Sequence, residues 1–194
     1  MKGHLKGNNM NLYVVRHGQT DWNVEKKMQG SADIPLNEKG IEQAYETKNN
    51  LKGKKIDIII SSPLIRARQT ADIINEDLNL PIIYDKYLKE RNYGEFEGVN
   101  KLSFDYNSFW SYEKNIKYEK AENIQDFFNR INEFVEDLKS NYNDESILIV
   151  CHAGVMKALE CILNGMMPDD EIGPFLPKNA SVLEYNLKTN IKSS

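Results

Sequence analysis

The chain has 194 residues, with 25 lysines and arginines against 29 aspartates and glutamates, for a net charge of −4. That length suits one large domain that buries most of its apolar surface. The charge argues for neither a nucleic-acid partner nor an anionic membrane surface, and no apolar run approaches the ~20 residues of a membrane span. The polar opening MKGHLKGNN shows no secretory pattern, so residues 1–9 are expected to be a flexible extension and residues 10–194 a single domain. Cys151 and Cys161 fall in a predicted strand and the helix after it, where a disulfide is disfavoured. Free thiols point to a cytoplasmic setting.

Leu12 to Val15 reads as a short buried strand. Asn37 caps a predicted helix whose face is Ile41, Ala44, Tyr45 and Leu51, with Gly53 as its stop. IDIII, Ile56 to Ile60, is a second strand. Ser62-Pro63 signals the start of a helix with Ala67, Ala71, Ile74 and Leu78 as its buried stripe. LPIIYD is a weaker third strand. From Ile124 to Tyr142 the apolar positions Ile124, Phe127, Phe128, Ile131, Phe134, Val135, Leu138 and Tyr142 follow the helical period. SILIVC is another buried strand, followed by a helix stopped by Gly165, and ASVLEYNL is a last strand near the sheet edge. Strands alternating with helices predict an α/β fold, layered around a largely parallel sheet.

In such sheets, ligands bind at the carboxyl ends of the strands, and here those ends carry the unusual residues. The first strand ends in Arg16-His17-Gly18, the second leads through Ser61-Ser62-Pro63 to Arg66, and SILIVC ends in His152-Ala153-Gly154. A fourth segment, LKERNYGEFEG, supplies Glu90 and Arg91. Arginine is permanently charged and forks two donors onto a phosphate or carboxylate. Two histidines in one anion pocket suggest a nucleophile and a transition-state donor, and Glu90 offers a proton to a leaving oxygen. Gly18 and Gly154 are expected to let the backbone approach the anion closely. Asn23 stands where its amide can reach the anion or fix His17. Gln19, Thr20 and Trp22 read as turn and packing residues, and Arg68 and Arg91 as structural.

LYVVRHGQTDWN resembles the Arg-His-Gly signature of the histidine phosphatase superfamily, also called the phosphoglycerate mutase-like family. MQGSADIPLNEKGIEQA, SSPLIRARQTA, ERNYGEFEG and VCHAGV continue the resemblance in the family's order, and KNASVLEY is similar to its last strand. The resemblance implies a three-layer α/β/α sandwich and a phosphohistidine on His17. It also implies that Arg16, Arg66 and His152 hold the phosphoryl group with help from Asn23, and that Glu90 is the proton donor. Gln29, Gly30 and Ala153 complete the implied binding set.

The departures favour a phosphatase over a mutase. Val99 to Glu122 has no arginine, and Ala153-Gly154 follows the second histidine where mutases tend to carry Gly-Asn. That segment holds Phe104, Tyr106, Phe109, Trp110, Tyr112 and Tyr118, expected to pack as a cap that shapes the entrance. Lys27 replaces an arginine common before Gln29-Gly30, which weakens an outer phosphate contact. A cysteine phosphatase needs an arginine six residues after its cysteine, but position 157 is Lys157, so Cys151 reads as a buried thiol. A non-catalytic phosphoanion sensor needs neither the nucleophile nor the acid. No cofactor is expected, and no metal, since the motif histidines lie among arginines with few carboxylates nearby. The expected partner is a small phosphate ester. Sugar phosphates, α-ribazole phosphate, phosphoserine and nucleotides are all compatible.

Overall fold

The computed structural model describes residues 8–169 and 177–189. Its centre is a pair of parallel strands, β1 (Asn8–Arg16) and β4 (Ser146–Cys151), paired from Asn11 opposite Ser146 to Arg16 opposite Cys151. Parallel strands β2 (Ile58–Ser61) and β3 (Ile82–Tyr84) extend one side, and β5 (Val182–Thr189) runs antiparallel on the other edge, giving the order β3-β2-β4-β1-β5. Residues 1–7 of the expected extension lie outside the described residues. Asn8 and Asn9 are already paired with β5, so the first strand begins earlier than its apolar run suggests.

Period-two alternation splits the strands between two cores. Met10, Leu12 and Val14 of β1, with Ile147, Ile149 and Cys151 of β4, face one side; Tyr13, Val15, Leu148 and Val150 face the other. The first core is covered by α5 (Ile124–Asn141) and α6 (Ala153–Asn164), the second by α2 (Glu38–Asn50) and α3 (Ile65–Asn75). The result is the expected three-layer α/β/α sandwich. All seven apolar residues predicted for the stripe inside α5 are buried, and Gly165, with φ +67°, caps α6 in the left-handed region. Two short helices, α1 (Asp21–Val24) and α4 (Tyr106–Trp110), have too few turns to show a helical period.

Two helices differ from the sequence reading. α2 buries Gly40, Ala44 and Thr47, whereas Ile41 and Tyr45 are 39% and 43% exposed. The cause is backbone approach: a Cβ on Gly40 would lie 2.1 Å from the Gln19 carbonyl oxygen, and one on Gly18 would lie 2.3 Å from that of Gly40. Small residues therefore form the contact face. Gly18 serves this packing and not the anion. α3 begins at Ile65, later than Ser62-Pro63 suggests. Its Ile65 N–H is capped from another loop by Asp33 Oδ1 at 2.6 Å, which frees the Ser62 side chain.

The seam between α2 and the loop after β1 yields the first prediction. Alanine at an exposed mid-helix glycine gains up to ~1 kcal/mol in propensity, while overpacking costs ~1–3 kcal/mol. Here the obstacle is backbone, which cannot rotate away, so Gly40→Ala should destabilise the fold in urea titration. Equal or greater stability in the variant would refute the close-approach account.

Candidate active site

The ladder of β1, β4 and β2 continues one residue past the strands, through His17 N–H to Cys151 O at 3.0 Å and Ser62 N–H to Val150 O at 2.9 Å. His17, Ser62 and His152 are thereby set side by side at one edge of the sheet. The His17 and His152 rings have centroids 5.2 Å apart. Arg16, His17, Asn23, Gln29, Gly30, Arg66, Glu90 and Ala153 line one pocket above that edge. The predicted site residues thus converge, with His152 buried behind the wall.

Each arginine is aimed by backbone carbonyls. One Arg16 amino group donates to Pro177 O at 2.6 Å; those of Arg66 donate to Ala32 O at 2.7 Å and Gly30 O at 2.8 Å. Among the described residues, Nε of both arginines is buried without a partner. Burial lowers both guanidiniums, Arg66 to about 10, so each stays charged at neutral pH. Gly30, at φ +52°, contributes a carbonyl that orients Arg66. Gln29 lies buried on the pocket wall, its Oε1 unpartnered among the described residues.

His17 donates Nδ1–H to the Gly18 carbonyl at 2.7 Å, because a carbonyl can only accept. Nε2 therefore holds the lone pair. Desolvation, then the charges of Arg66 and Arg16, push the imidazole well below its usual range. His152 is lowered for the same reasons, with desolvation first. Its Nε2 lies 2.7 Å from Ser62 Oγ, and its Nδ1 has no partner among the described residues. Ser62 Oγ itself accepts from Leu64 N–H at 3.4 Å. The contact fits either tautomer of His152: Ser62 donating to Nε2 with the ring proton on Nδ1, or Nε2–H donating to Ser62 Oγ.

Glu90 accepts from Arg91 N–H at 2.9 Å and from Gly154 N–H at 3.0 Å. Burial raises its carboxyl above the usual carboxylate range, against those bonds and the two arginines. A Cβ on Gly154 would come within 2.3 Å of Glu90 Oε1, so this glycine makes room for the acid and not for the anion. Asn23 Oδ1 accepts from Thr20 N–H at 3.0 Å and Asn179 Nδ2 at 3.2 Å, and the same Asn179 amide reaches His17 O at 3.2 Å. Asn23 is tied to the His17 backbone through Asn179. Ala153 opens α6, whose N-terminus presents positive dipole to the pocket.

Arg91 clamps the fourth loop, donating to Phe109 O at 2.7 Å and Glu122 O at 2.8 Å with its guanidinium 4.2 Å from the Phe109 ring centroid. Of the segment expected to pack as a cap, Phe104, Phe109, Trp110 and Tyr118 cluster with Phe96, while Tyr112 packs on Phe128 and Tyr106 reaches the pocket wall. The Cys151 thiol is buried and pushed up by desolvation, the opposite of an activated nucleophile. Among the described residues, no group of three or more His, Cys, Asp or Glu is arranged to hold a metal ion.

Several pocket residues escaped the sequence reading. Tyr93, Lys26 and Lys101 lie on the wall, as does Trp22, which had read as a packing residue, and Ser62 and Asn179 stand behind it. Tyr106, its phenol pushed up to about 12 by burial and by Glu90, belongs to the segment expected to shape the entrance. For Ser62 the strand-end pattern held the signal, but its fit to an N-cap masked it.

The family model of the histidine phosphatase superfamily, branch 1, matches residues 12–191. The uncharacterized phosphatase PhoE of Bacillus subtilis is 40% identical over 156 residues, 80% of this chain and 78% of that protein. The solved structure of YhfR from Bacillus stearothermophilus superposes with a TM-score of 0.82 at 31% identity, covering 90% of each chain. A mutant phosphoserine phosphatase from Entamoeba histolytica, solved with phosphoserine, superposes with a TM-score of 0.80 at 28% identity, covering 93% of this chain and 95% of that one. A buried histidine pair between two guanidiniums, on this sheet and with these relatives, has one reading: the chain belongs to the histidine phosphatase superfamily.

Proposed function

We propose that this family's phosphohistidine route to phosphate-monoester hydrolysis is carried here by His17 as nucleophile and Glu90 as proton donor. Arg16, Arg66 and His152 hold the phosphoryl group, with Asn23, Gln29, Gly30 and Ala153 around it. The observation that carries the reading is the state of His17. Its Nδ1–H is committed to Gly18 O at 2.7 Å, and burial beside two guanidiniums keeps the ring neutral. Nε2 attacks phosphorus as the P–O ester bond breaks, and Glu90 gives its proton to the departing oxygen. The Nδ1–H bond to Gly18 takes up the positive charge that develops on the ring. Charge on the phosphoryl oxygens meets the arginines and His152 Nδ1–H, the tautomer in which Ser62 donates to Nε2. Water then attacks phosphorus as Glu90 takes its proton, and the P–N bond breaks with its electron pair returning to Nε2, so that free His17 and phosphate result. The substrate is a small phosphorylated metabolite. A cytoplasmic setting is in keeping with two buried, unpaired cysteines.

His17→Ala should abolish turnover, and acid-sensitive, base-stable phosphoryl label should be trapped on the wild-type protein during turnover but not on the variant. Because attack needs the neutral ring, present above its lowered pKa, the acid limb of kcat/KM should lie below pH 6.5. Equal labelling of both proteins would remove His17 from the role.

An alkoxide leaves poorly without a proton and nitrophenolate leaves well. A positioned acid contributes roughly 10²–10⁴-fold, so Glu90→Gln should cut single-turnover phosphorylation by an alkyl phosphate by about that factor and by p-nitrophenyl phosphate far less. Equal losses on both esters would reduce Glu90 to shaping the pocket.

Ser62 is a positioning residue acting through His152. Ser62→Ala should lower kcat roughly 10–100-fold, the cost of losing an outer partner of a functional histidine, with KM changed less. Nitrogen-15 NMR should show the His152 proton leaving Nδ1, and Ser62→Thr should restore both signals. An unchanged tautomer in the alanine variant would end this assignment.

A further inference from the structure

The inner face of α2 does more than pack. Gly40, Gln43 and Thr47 follow one another at helical spacing and share one side of the helix. Gly40 lets that side come up against the loop after β1: a Cβ there would lie 2.8 Å from the Gln19 nitrogen. One turn on, Gln43 Oε1 accepts from that same Gln19 N–H at 2.9 Å. A backbone N–H can only donate, so the Gln43 amide presents its oxygen to the loop. Thr47 Oγ1 donates to Ala180 O at 2.7 Å, and Ala180 N–H donates to His17 O at 3.2 Å.

The Gln19 N–H belongs to the peptide unit whose other end is the Gly18 carbonyl, the acceptor of His17 Nδ1–H at 2.7 Å. A trans peptide is planar, with N–H and C=O pointing in opposite directions. Gln43 on one side and His17 on the other therefore hold a single rigid plane between them. If that plane rotates, the carbonyl leaves Nδ1, and the imidazole is released to the tautomer that has no lone pair on Nε2. The preceding peptide is held separately, with Gly18 N–H donating to Thr70 Oγ1 at 3.1 Å and His17 O accepting from Asn179 and Ala180. Among the described residues, the Gly18–Gln19 peptide has no hydrogen-bond partner besides Gln43 and the imidazole. Bonds in such a chain polarise one another, so an acceptor on Gln19 N–H makes the Gly18 oxygen a stronger acceptor in turn.

We propose that Gln43 is a positioning residue for the nucleophile, setting the tautomer and aim of His17 through the Gly18–Gln19 peptide. Its effect on rate rests on the phosphatase reading; its effect on the imidazole needs no substrate.

Two variants remove the contact. Gln43→Met deletes the acceptor and keeps the stem, and Gln43→Asn keeps the amide but falls one methylene short, so either one that folds serves. Both should slow single-turnover phosphorylation of His17 by p-nitrophenyl phosphate about tenfold at saturation, the low end for losing an outer partner of a functional histidine, with the half-saturating concentration changed far less. In nitrogen-15 NMR the His17 signal, identified by its absence from His17→Ala, should move from protonation at Nδ1 alone toward a mixture of tautomers. Gln43→Glu keeps an oxygen at the same reach and should restore both rate and tautomer. An undiminished rate, or a slowed rate that Gln43→Glu does not restore, would overturn the assignment. A slowed rate with an unmoved His17 signal would overturn it too, reducing Gln43 to packing. Wild-type protein that takes up no phosphoryl label, with the tautomer still shifting in the variants, would sink the phosphatase reading and leave the hold of Gln43 on His17 standing.

Discussion

Two guanidiniums buried without a salt bridge among the described residues are the constraint on which this structure turns. Arg16 is 9% exposed and Arg66 1%, and their fixed bonds go to neutral carbonyls of Pro177, Gly30 and Ala32. Taking an ion out of water costs several kcal/mol even after relaxation, and carbonyl dipoles offset only part of that. The sandwich must therefore be stable enough to carry the charges. Much of the sequence serves that end: the uninterrupted apolar run of β4, the seven buried residues of α5, and the glycine seam that draws α2 against the loop after β1. In the proposed mechanism a phosphoryl group answers these two charges, so that part of the cost in the free protein returns as affinity for it.

The same burial sets the chemistry. Low dielectric with nearby positive charge disfavours a third cation, so His17 and His152 stay neutral, His17 with a lone pair on Nε2. It also disfavours the carboxylate, so Glu90 rises toward the protonated state that the proposed mechanism asks of it. Nucleophile and acid need opposite protonation states at one pH. Because one base and one acid are both pushed toward neutrality, a single environment supplies the two.

Legibility in the sequence followed the range of the forces involved. Strand alternation and the α5 stripe are local patterns of apolar side chains and could be read directly. The convergence of Arg16, His17, Arg66, Glu90 and His152 followed from a parallel sheet having one carboxyl edge. What escaped depends on contacts between distant segments. The face of α2 is chosen by a clash between Gly40 and Gln19, which inverts the rule that large apolar residues mark the inside. The start of α3 is set by Asp33, and Gly154 answers to Glu90. Ser62 looked like a cap because the bond that gives it meaning crosses to residue 152.

Inner shell and rim are built to different standards. Glu90 is anchored by two backbone N–H groups and Arg66 by two carbonyls, while Arg16 and the His17 ring are each aimed by one carbonyl, so the inner groups are fixed by backbone. At the rim the lysines are held more loosely, Lys27 by an ion pair with Glu25 and Lys101 over the Tyr106 ring, each at the end of a long stem. Donors fixed by backbone suit the proposed phosphoryl ligand, whose geometry is the same in every ester, and that rigidity is what the buried guanidiniums require of the sandwich around them.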